Sequence, residues 1–579
     1  MTRRRTGTSR PAVAGRTVIA LGIAAALVTG CAAPEPPDPD VGAAAPPAVT
    51  GVTAEPEAGG GTLRVGLDAG PVSIDPRLVL DDAGELVARA LFEGLVDVNP
   101  AGGVMPAGAA SWRRSDDGTE YRFELRRATF HDGRPVTAQD HADALLGALD
   151  PERPPYGREA LLEGLRGAID VAEDGTRIRG GPADVLAAGG VEVVGTWELV
   201  LRLAAPDPRF LHALADVALA PIPPGAGDDP DFADLPVGNG PFRLLEPRGG
   251  DGFLRLVAVP DHHRAPRVDE LVLQFTPEDS DGEGRWADLL ADRLQVARIG
   301  ASRRDEAEAA LGRAVAVPPG PTSGLHDATA AAVYAYAFDV TVPPFDDVRL
   351  RRAIAAALDR EAVAAAVGPA AVAATRLLPD RLAGPGAGTA GTTACAHCGF
   401  DPELAATLFT AWAEEAGAEL PLPLTLSYPR RSDHAAVAEA VADQLEAVLD
   451  VRVSLRALDL TGFAGAVTAG EAPLFRPSLR ATLGGWAAAS SLLDPAVRAS
   501  APRPEAGTGW GDAASDALLD RLRAGPDPAA AAALDGRLTE EAVVVPLFWL
   551  RQHLVVAPAV GGFALDPTGR WWPELVTLG

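Results

Sequence analysis

Two cysteines in the second half of the chain could do chemistry, because they stand in the spacing Cys-x-x-Cys. The segment Cys395-Ala396-His397-Cys398 is compatible with a redox pair, with half of a zinc site or with a short disulfide. The chain holds three cysteines in all, so four thiolates of one chain cannot meet on a zinc ion. In an oxidising, exported setting we favour a structural disulfide that pins a loop, with redox and metal roles as alternatives.

The histidines and glycine-rich segments give no sign of a catalytic centre. His262 and His263 are adjacent, and adjacent side chains of a strand point to opposite faces, so we do not expect them to share a metal ion. Asp359-Arg360 predicts a salt bridge at a helix surface rather than a catalytic dyad. Residues 236–242 lack the Gly-Lys-Ser/Thr of a phosphate loop, and neither G-x-S-x-G nor H-E-x-x-H occurs. We therefore predict a protein that is not an enzyme, with no cofactor and no metal; a secreted hydrolase is the disfavoured alternative.

Length and charge restrict the possible classes of function. A chain of 579 residues is too long for one simple core, so we expect two or more domains. The formal net charge of -28 argues against a nucleic-acid partner, because a phosphate backbone requires a basic surface.

The first 31 residues predict an export signal. A basic stretch precedes the apolar run 17–28, which is too short to span a bilayer and is followed by small residues. The tetrapeptide Val28-Thr29-Gly30-Cys31 resembles the bacterial lipobox, which implies that Cys31 is diacylated and becomes the new N-terminus; an ordinary secretory signal is the alternative. Residues 32–60 are rich in Pro, Ala and Gly and predict a disordered tether that keeps the folded body near a membrane partner.

The stretch 116–140 carries the clearest instructions for local folding. Asp117-Gly118 predicts a tight turn, and the alternation of Tyr121, Phe123 and Leu125 with charged residues predicts a strand with one buried face. Thr137, with Asp140 three residues later, predicts a capping box and a helix that runs to about residue 149.

This stretch also resembles a family signature. It is similar to "DG-x-x-Y-x-F-x-L-R … F-H-D-G-x-P-V-T-A-x-D" of the solute-binding proteins of oligopeptide and dipeptide ABC transporters, extracellular solute-binding family 5. Further segments resemble motifs of the same family, and the resemblance covers about residues 61–579. They are Ser73-Ile74-Asp75-Pro76, 91–96, 236–242, 260–271 (where His262-His263 replaces an aromatic pair), 343–360, 400–403, 422–458 and 482–495.

The resemblance implies a two-lobed α/β fold of the periplasmic-binding-protein type II kind, large cluster C type, with an extra domain inserted in the first lobe. The implied boundaries are 61–97, 216–300 and 546–579 for lobe I, 98–215 for the extra domain and 301–545 for lobe II, after a signal peptide at 1–30 and the lipidated Cys31 with its tether at 31–60.

The resemblance also places candidate ligand contacts. In peptide-binding members the residues just after "D-P" lie against the ligand backbone, and the positions here are Leu80, Asp81 and Asp82; a helix start with acids that suit its dipole is the alternative. The family's "G-W-x-x-D-x-x-D-P" segment corresponds to Gly485, Trp486 and the adjacent Ala487, with Asp494-Pro495 also matching. Ala489 stands where those members present the Asp that pairs with the ligand's ammonium group, so recognition of a free peptide N-terminus needs another acid.

The function that the resemblance implies is that of a substrate-binding lipoprotein of an ABC importer. Its predicted partners are a peptide or similar small solute, the permease subunits and the membrane through the lipid anchor, with no nucleic acid, and the predicted state is a monomer at the outer face of the cell membrane. A binding-protein fold that now acts in signalling or surface interaction is the alternative.

Overall fold

The computed structural model describes most of the chain beyond the predicted leader. The described residues are 60–79, 81–150, 162–171, 177–229, 231–250, 252–277, 281–314, 322–383, 395–430, 432–477, 479–497 and 508–579. The predicted signal peptide, Cys31, nearly all of the tether and Leu80 lie outside them.

Strands and helices alternate through the chain. Up to residue 299 they are β1 (Thr62–Leu67), α1 (Asp82–Leu91), β2 (Val96–Val98), β3 (Val104–Pro106), β4 (Ala109–Arg114), β5 (Glu120–Leu125), α2 (Ala138–Gly147), β6 (Ile169–Val171), β7 (Arg177–Arg179), α3 (Pro182–Ala187), β8 (Val191–Gly195), β9 (Glu198–Arg202), α4 (Phe210–Ala213), β10 (Phe242–Leu244), β11 (Phe253–Ala258), β12 (Glu270–Phe275), α5 (Glu283–Leu290) and β13 (Val296–Ile299).

The remainder of the chain continues the alternation. Its elements are α6 (Arg304–Leu311), β14 (Gly324–Thr329), β15 (Ala332–Phe338), α7 (Val348–Ala356), α8 (Arg360–Val367), β16 (Ala371–Ala373), α9 (Asp380–Ala383), α10 (Pro402–Ala416), β17 (Leu422–Pro429), α11 (Ser432–Val448), β18 (Val451–Leu458), α12 (Leu460–Thr468), β19 (Leu474–Phe475), β20 (Leu479–Arg480), α13 (Ala488–Val497), α14 (Ala513–Ala524), α15 (Pro528–Glu540), β21 (Val544–Val556), β22 (Val560–Gly561) and β23 (Thr577–Leu578). Short 3-10 helices lie at Pro76–Leu78, Val217–Leu219, Ala226–Asp228, Ala301–Arg303, Gly485–Ala487 and Pro573–Leu575.

One long strand joins the two halves of the large sheet. The sheet order is β10-β11-β12-β1-β13-β21-β15-β19-β17-β18. Residues 551–556 of β21 pair with β14, and 553–556 also pair with β13, whereas residues 544–550 pair with β15 and β16. We call the part with β1 and β10–β13 the first half and the part with β15 and β17–β20 the second half. Because β21 belongs to both, one of the passages of the chain between the halves lies inside a single strand.

Each half has its own buried core. In the first half, apolar residues of β1, α1 and β12 interlock, with Leu63, Leu91 and Leu271 fully buried. In the second half, β17 and β18 pair in parallel from Leu422↔Val451 onward, and α11 connects them. Residues 422–458, which resemble a family motif, therefore form a β-α-β unit. The helix that precedes this unit in sequence, α10, begins after Asp401, whose side chain caps it.

A separate antiparallel sheet, β4-β5-β9-β8, covers its own apolar cluster. Phe123 of the predicted strand is fully buried, and Gly118 adopts a φ of 73° in the predicted turn. The capping box is present, since Asp140 accepts from the Thr137 amide at 2.7 Å. Both predictions for this stretch are confirmed, with α2 ending two residues earlier than expected.

The prediction of a surface salt bridge at Asp359-Arg360 is wrong. Asp359 caps α8, since its Oδ1 accepts the amide of Ala362 at 3.0 Å. Arg360 is buried and donates to the carbonyl oxygens of Pro546, Ala355 and Leu358 at 2.8, 3.2 and 3.2 Å. Buried carbonyl groups need donors, and this guanidinium supplies them at the junction of α7, α8 and β21.

Candidate functional site

The connection between β1 and α1 uses Asp81 as a helix cap. Its Oδ1 accepts the amide of Gly84 at 2.8 Å and its Oδ2 accepts the amide of Val72 at 2.9 Å. Both oxygens of the carboxylate therefore accept hydrogen bonds from backbone amides. This agrees with the alternative interpretation of the segment, in which the acid belongs to the start of a helix. Leu80, the preceding candidate, lies outside the described residues.

Asp82 faces the second half of the sheet. Its side chain is 53% exposed, and its Oδ1 lies 3.4 Å from the guanidinium of Arg480 in β20. Gln552 in β21 donates to its Oδ2 at 2.8 Å. Since α1 packs in the core of the first half, this contact joins the two halves through a carboxylate that remains open to solvent.

The segment Gly485–Ala487 lies against the chain that follows β2. A Cβ on Gly102 would stand 2.7 Å from the Cα of Gly485, so the two backbones touch. The half-buried Trp486 meets His212 edge to face, with ring centroids 5.3 Å apart, and His212 Nε2 lies 3.3 Å from the carbonyl oxygen of Gly102. Burial lowers the pKa of His212, so this imidazole is neutral near pH 7.

The helix after this segment offers no free carboxylate to an ammonium group. Ala489 is buried in an apolar cluster at the start of α13. Asp494 is buried and bound by two arginines, with Arg523 Nη2 at 2.6 Å from Oδ1 and Arg209 Nη1 at 3.4 Å from Oδ2. The Arg209 contact is an ion pair that joins the 98–215 region to α13.

The structure therefore places Asp82 at a contact between the halves, whereas Gly485 and Trp486 lie against the 98–215 region and Ala487 is fully buried in a cluster with Ala213. These residues offer a carboxylate, the edge of an aromatic ring and backbone groups. Such groups hold a solute by hydrogen bonds and packing. These groups would enclose a ligand rather than activate a nucleophile.

The sequence did not reveal that its family-like segments converge on one buried residue, Glu93. The amide of Glu93 donates to Asn239 Oδ1, and Asn239 Nδ2 donates back to the carbonyl oxygen of Glu93, both at 2.9 Å. The backbone amide of Gly240 donates to the carbonyl oxygen of Leu91, and the backbone amide of His131 donates to the carbonyl oxygen of Gly238, both at 2.8 Å. These hydrogen bonds hold the family-like segments together in the first half. The arrangement is visible only in the structure.

The expectation that His262 and His263 point apart is wrong. Both residues lie in a turn that follows β11, so the alternation of a strand does not apply to them. Their rings are 4.6 Å apart, and both face Glu93. Burial alone would raise the pKa of Glu93, but Arg264 and the two imidazoles hold it well below its usual range.

Two groups of side chains in the described part of the chain bring metal-ligating atoms within 4.8 Å of one another. One is Glu93 with His262 and His263, and the other is Cys395 with His397 and Cys398. In the second group the structure joins Cys395 to Cys398 as a disulfide, with Cα atoms 5.3 Å apart. His397 Nε2 lies 3.0 Å from the carbonyl oxygen of Thr539 near the end of α15.

The fold and site define the class of two-lobed α/β binding proteins. The solved structure of the Escherichia coli murein tripeptide binding protein MppA aligns over 89% of this chain and 98% of its own, at 22% identity with a TM-score of 0.65. Haemophilus influenzae OppA, in complex with RPPGFSPFR, aligns over 89% and 98%, at 20% identity with a TM-score of 0.63. At these identities the likeness shows the fold.

The chain belongs to the bacterial extracellular solute-binding proteins of family 5, whose middle-region model matches residues 103–499. Among similar proteins, the probable deoxycholate-binding periplasmic protein YgiS of Escherichia coli (strain K12) is 27% identical over 86% of this chain and 89% of its own. The periplasmic murein peptide-binding protein MppA of the same strain is 27% identical over 67% and 69%. In the described part of this chain, no helix combines the length and apolar character needed to cross a membrane.

Proposed function

We propose that this protein is the substrate-binding component of an ABC importer, which captures a peptide or similar small solute outside the cell without altering it and delivers it to the membrane permease. Family membership supports the class of function. The observation that carries the proposal is the contact of Asp82 in the first half with Arg480 in the second, in which both side chains stay about half exposed to solvent. A solute between the halves would touch groups from both.

The ligand need not present a free amino terminus. Ala489 supplies no carboxylate, Asp494 is bound by arginines, and Asp81 caps a helix, so Asp82 is the candidate acid that stays open to solvent. Peptides can still bind through backbone hydrogen bonds, with pockets that accept varied side chains.

An apolar carboxylic acid is the second candidate ligand. Arg480 lies beside the site with 44% of its side chain exposed, and the apolar α13 start flanks Trp486. A similar protein is described as probably deoxycholate-binding, and deoxycholate is such an acid.

Anchoring and domain boundaries belong to the same proposal. Lipidation of Cys31 would hold the protein at the outer face of the membrane, since two acyl chains suffice for stable attachment. An extra domain at 98–215 is supported by the separate sheet β4-β5-β9-β8 and its own core. Lobe I would comprise 61–97, 216–300 and 546–579, and lobe II would comprise 301–545. The second of the two passages between the lobes would fall within β21. An oxidised Cys395–Cys398 pair suits this exported setting.

The test begins with the solute that co-purifies with the protein, identified by mass spectrometry after denaturation. The chain is then unfolded, refolded without solute and titrated calorimetrically with that compound, with peptides, with N-acetylated peptides and with deoxycholate. We expect one solute per chain and at least about a fivefold loss of affinity in Trp486→Ala, because an aromatic contact is worth about 1 kcal/mol or more.

Trp112→Ala, in the separate sheet, is the matched control and should bind as the unaltered chain does. A folded protein that binds none of these compounds, or chemical conversion of the bound compound, would overturn the proposal in favour of a signalling or surface role, or of a hydrolase.

A further inference from the structure

Glu93 carries a carboxylate that two imidazoles approach from the same side. His263 Nε2 lies 2.9 Å from both Oε1 and Oε2 of Glu93, and His262 Nε2 lies 3.5 Å from Oε2. The Glu93 side chain is 2% exposed, that of His262 is 7% exposed and that of His263 is 20% exposed. The cluster is thus buried on the Glu93 side and opens to solvent beside His263.

The surroundings hold the carboxylate in a fixed orientation. Arg264 Nη2 lies 2.9 Å from Oε1, and the same guanidinium contacts Asp97 at 2.6 Å and Glu574 at 3.4 Å. Asn239 fixes the backbone of Glu93. With Oε1 bound to Arg264, Oε2 is the oxygen that faces both rings. A carboxylate held in this way by a hydrogen bond to its other oxygen has the outer support that metal ligands have.

The distances match those of ligands around one small cation. Zinc binds imidazole nitrogen and carboxylate oxygen at about 2.0–2.2 Å in a tetrahedral arrangement, so two of its ligands lie roughly 3.4 Å apart. The separations of Oε2 from the two Nε2 atoms, 2.9 and 3.5 Å, bracket that value. Two histidines and one glutamate are also a known zinc donor set, with a fourth position left for water.

His262 gives an independent indication. Its Nε2 is buried and has no hydrogen-bond partner among the described residues, its distance to Glu93 being at the outer limit of such a bond. A buried ring nitrogen whose nearest polar partner is 3.5 Å away is poorly satisfied, and once it has lost its proton it can bind a metal ion instead.

We propose that Glu93, His262 and His263 form a binding site for a single zinc ion, with water as the fourth ligand on the exposed side of His263. The site would join the segment after α1 to the turn after β11 and so stabilise this part of the first half. It shares no residue with the Trp486 segment and does not depend on the identity of the transported solute.

The charges and protonation states around the site set its properties. Glu93, Asp97 and Glu574 face Arg264 and Arg89, so the group does not carry an excess of positive charge against a cation. His262 Nδ1 accepts the amide of Arg264 at 3.1 Å, which places the proton of the neutral ring on Nε2. Zinc at Nε2 requires the other tautomer, so metal binding must displace this amide contact, and the turn at 262–264 must move.

The experiment is a zinc titration of the full-length chain after treatment with a chelator, followed by calorimetry and by metal analysis of the dialysed protein. We expect one zinc ion per chain and a higher melting temperature with zinc. His262→Gln and His263→Gln should each weaken zinc binding by at least the roughly tenfold to hundredfold that loss of an outer-shell partner costs.

Cys395→Ser with Cys398→Ser is the matched control, because it removes the other group of possible ligands. Zinc binding that persists in this variant and is lost in the histidine variants supports the proposal. Binding lost with the cysteines, or weak binding at several sites that the histidine variants do not change, overturns it.

Two further measurements separate metal binding from misfolding. Circular dichroism must show that the histidine variants fold, and Glu93→Gln, which keeps an oxygen acceptor but lowers its charge, provides a second test at the same site. The amide signal of Arg264 in NMR should shift on addition of zinc, because its contact with His262 is displaced. An unchanged Arg264 signal with zinc bound would contradict the assigned site.

Discussion

Gly102 and Gly485 bring two distant parts of the chain closer together than residues with side chains could. Both have positive φ, 86° and 60°, and a Cβ on Gly485 would lie 2.2 Å from the carbonyl oxygen of Gly102. The glycine before Trp486 thus has a steric role, which is to let the candidate ligand segment rest on the chain after β2.

Gly485→Ala is predicted to weaken solute binding by about tenfold or more. A side chain in the left-handed region costs roughly 1–2 kcal/mol, and the clash also pushes the two backbones apart. Calorimetry with the co-purified solute measures the effect. Gly536→Ala in α15, where a Cβ meets nothing within 4 Å, should leave binding unchanged and raise the free energy of unfolding by up to about 1 kcal/mol. Equal affinities for both variants would show that the contact has no role in binding.

Buried histidines make stability dependent on pH. Burial lowers the pKa of His131 and of His141 to about 4, whereas an unfolded chain takes up these protons near pH 6.5. Between those values the unfolded chain binds more protons than the folded one. Stability is therefore complete above about pH 6.5 and is lost as the pH falls towards 4.

We predict a loss of about 2 kcal/mol per histidine between pH 7 and pH 5, measured as the free energy of unfolding in urea. His141→Gln should lose correspondingly less stability over this interval than the unaltered chain. Identical losses in the two proteins would mean that His141 is protonated to the same extent when folded and unfolded.

At the scale of elements, sequence patterns predict the features that depend only on neighbouring residues. The alternation of Tyr121, Phe123 and Leu125 and the Thr137/Asp140 capping box specify a strand and a helix start within a few residues, and both are present. The inward direction of Arg360 could not be predicted, because the carbonyl groups that it binds include one in β21, far away in sequence. The turn that carries His262 and His263 could have been predicted locally, because β11 ends at residue 258 and Pro260-Asp261 after it is a turn signal.

Arg360→Gln is predicted to destabilise the fold by about 3 kcal/mol or more. The shorter side chain leaves buried carbonyl oxygens without their charged donor, and each such bond contributes about 1.5 kcal/mol or more. Urea unfolding measures the change. Arg293→Gln, which breaks an ion pair on a side chain that is 64% exposed, is the control and should cost no more than about 1 kcal/mol. Similar costs for both variants would contradict the role of Arg360 in the core.

The two-cysteine turn adds a smaller contribution. A four-residue loop closed by a disulfide removes little entropy from the unfolded chain, so the bond should stabilise by about 2 kcal/mol at most. The double change Cys395→Ser with Cys398→Ser should lower the unfolding free energy by no more than this. A much larger loss would indicate that the cysteines hold a metal or a wider part of the structure.

At the scale of the whole molecule, β21 connects the halves in a way that the sequence did not show. The length of β21 and its pairing with both halves depend on partners from β13 to β16, which lie far away in sequence. The resemblance to family motifs supplied the two-lobed architecture, since no local pattern reports how lobes are connected. The contact of Asp82 with Arg480 shows that residues of the two halves meet, and that of Arg209 with Asp494 joins the 98–215 region to α13.

The crystal structure of the protein with its co-purified solute tests the central proposal most directly. We predict one solute molecule between the two halves, in contact with Trp486 and with Asp82 or Arg480. A solute bound elsewhere, or crystals of the purified protein in which these residues contact no ligand at saturating solute concentration, would contradict it.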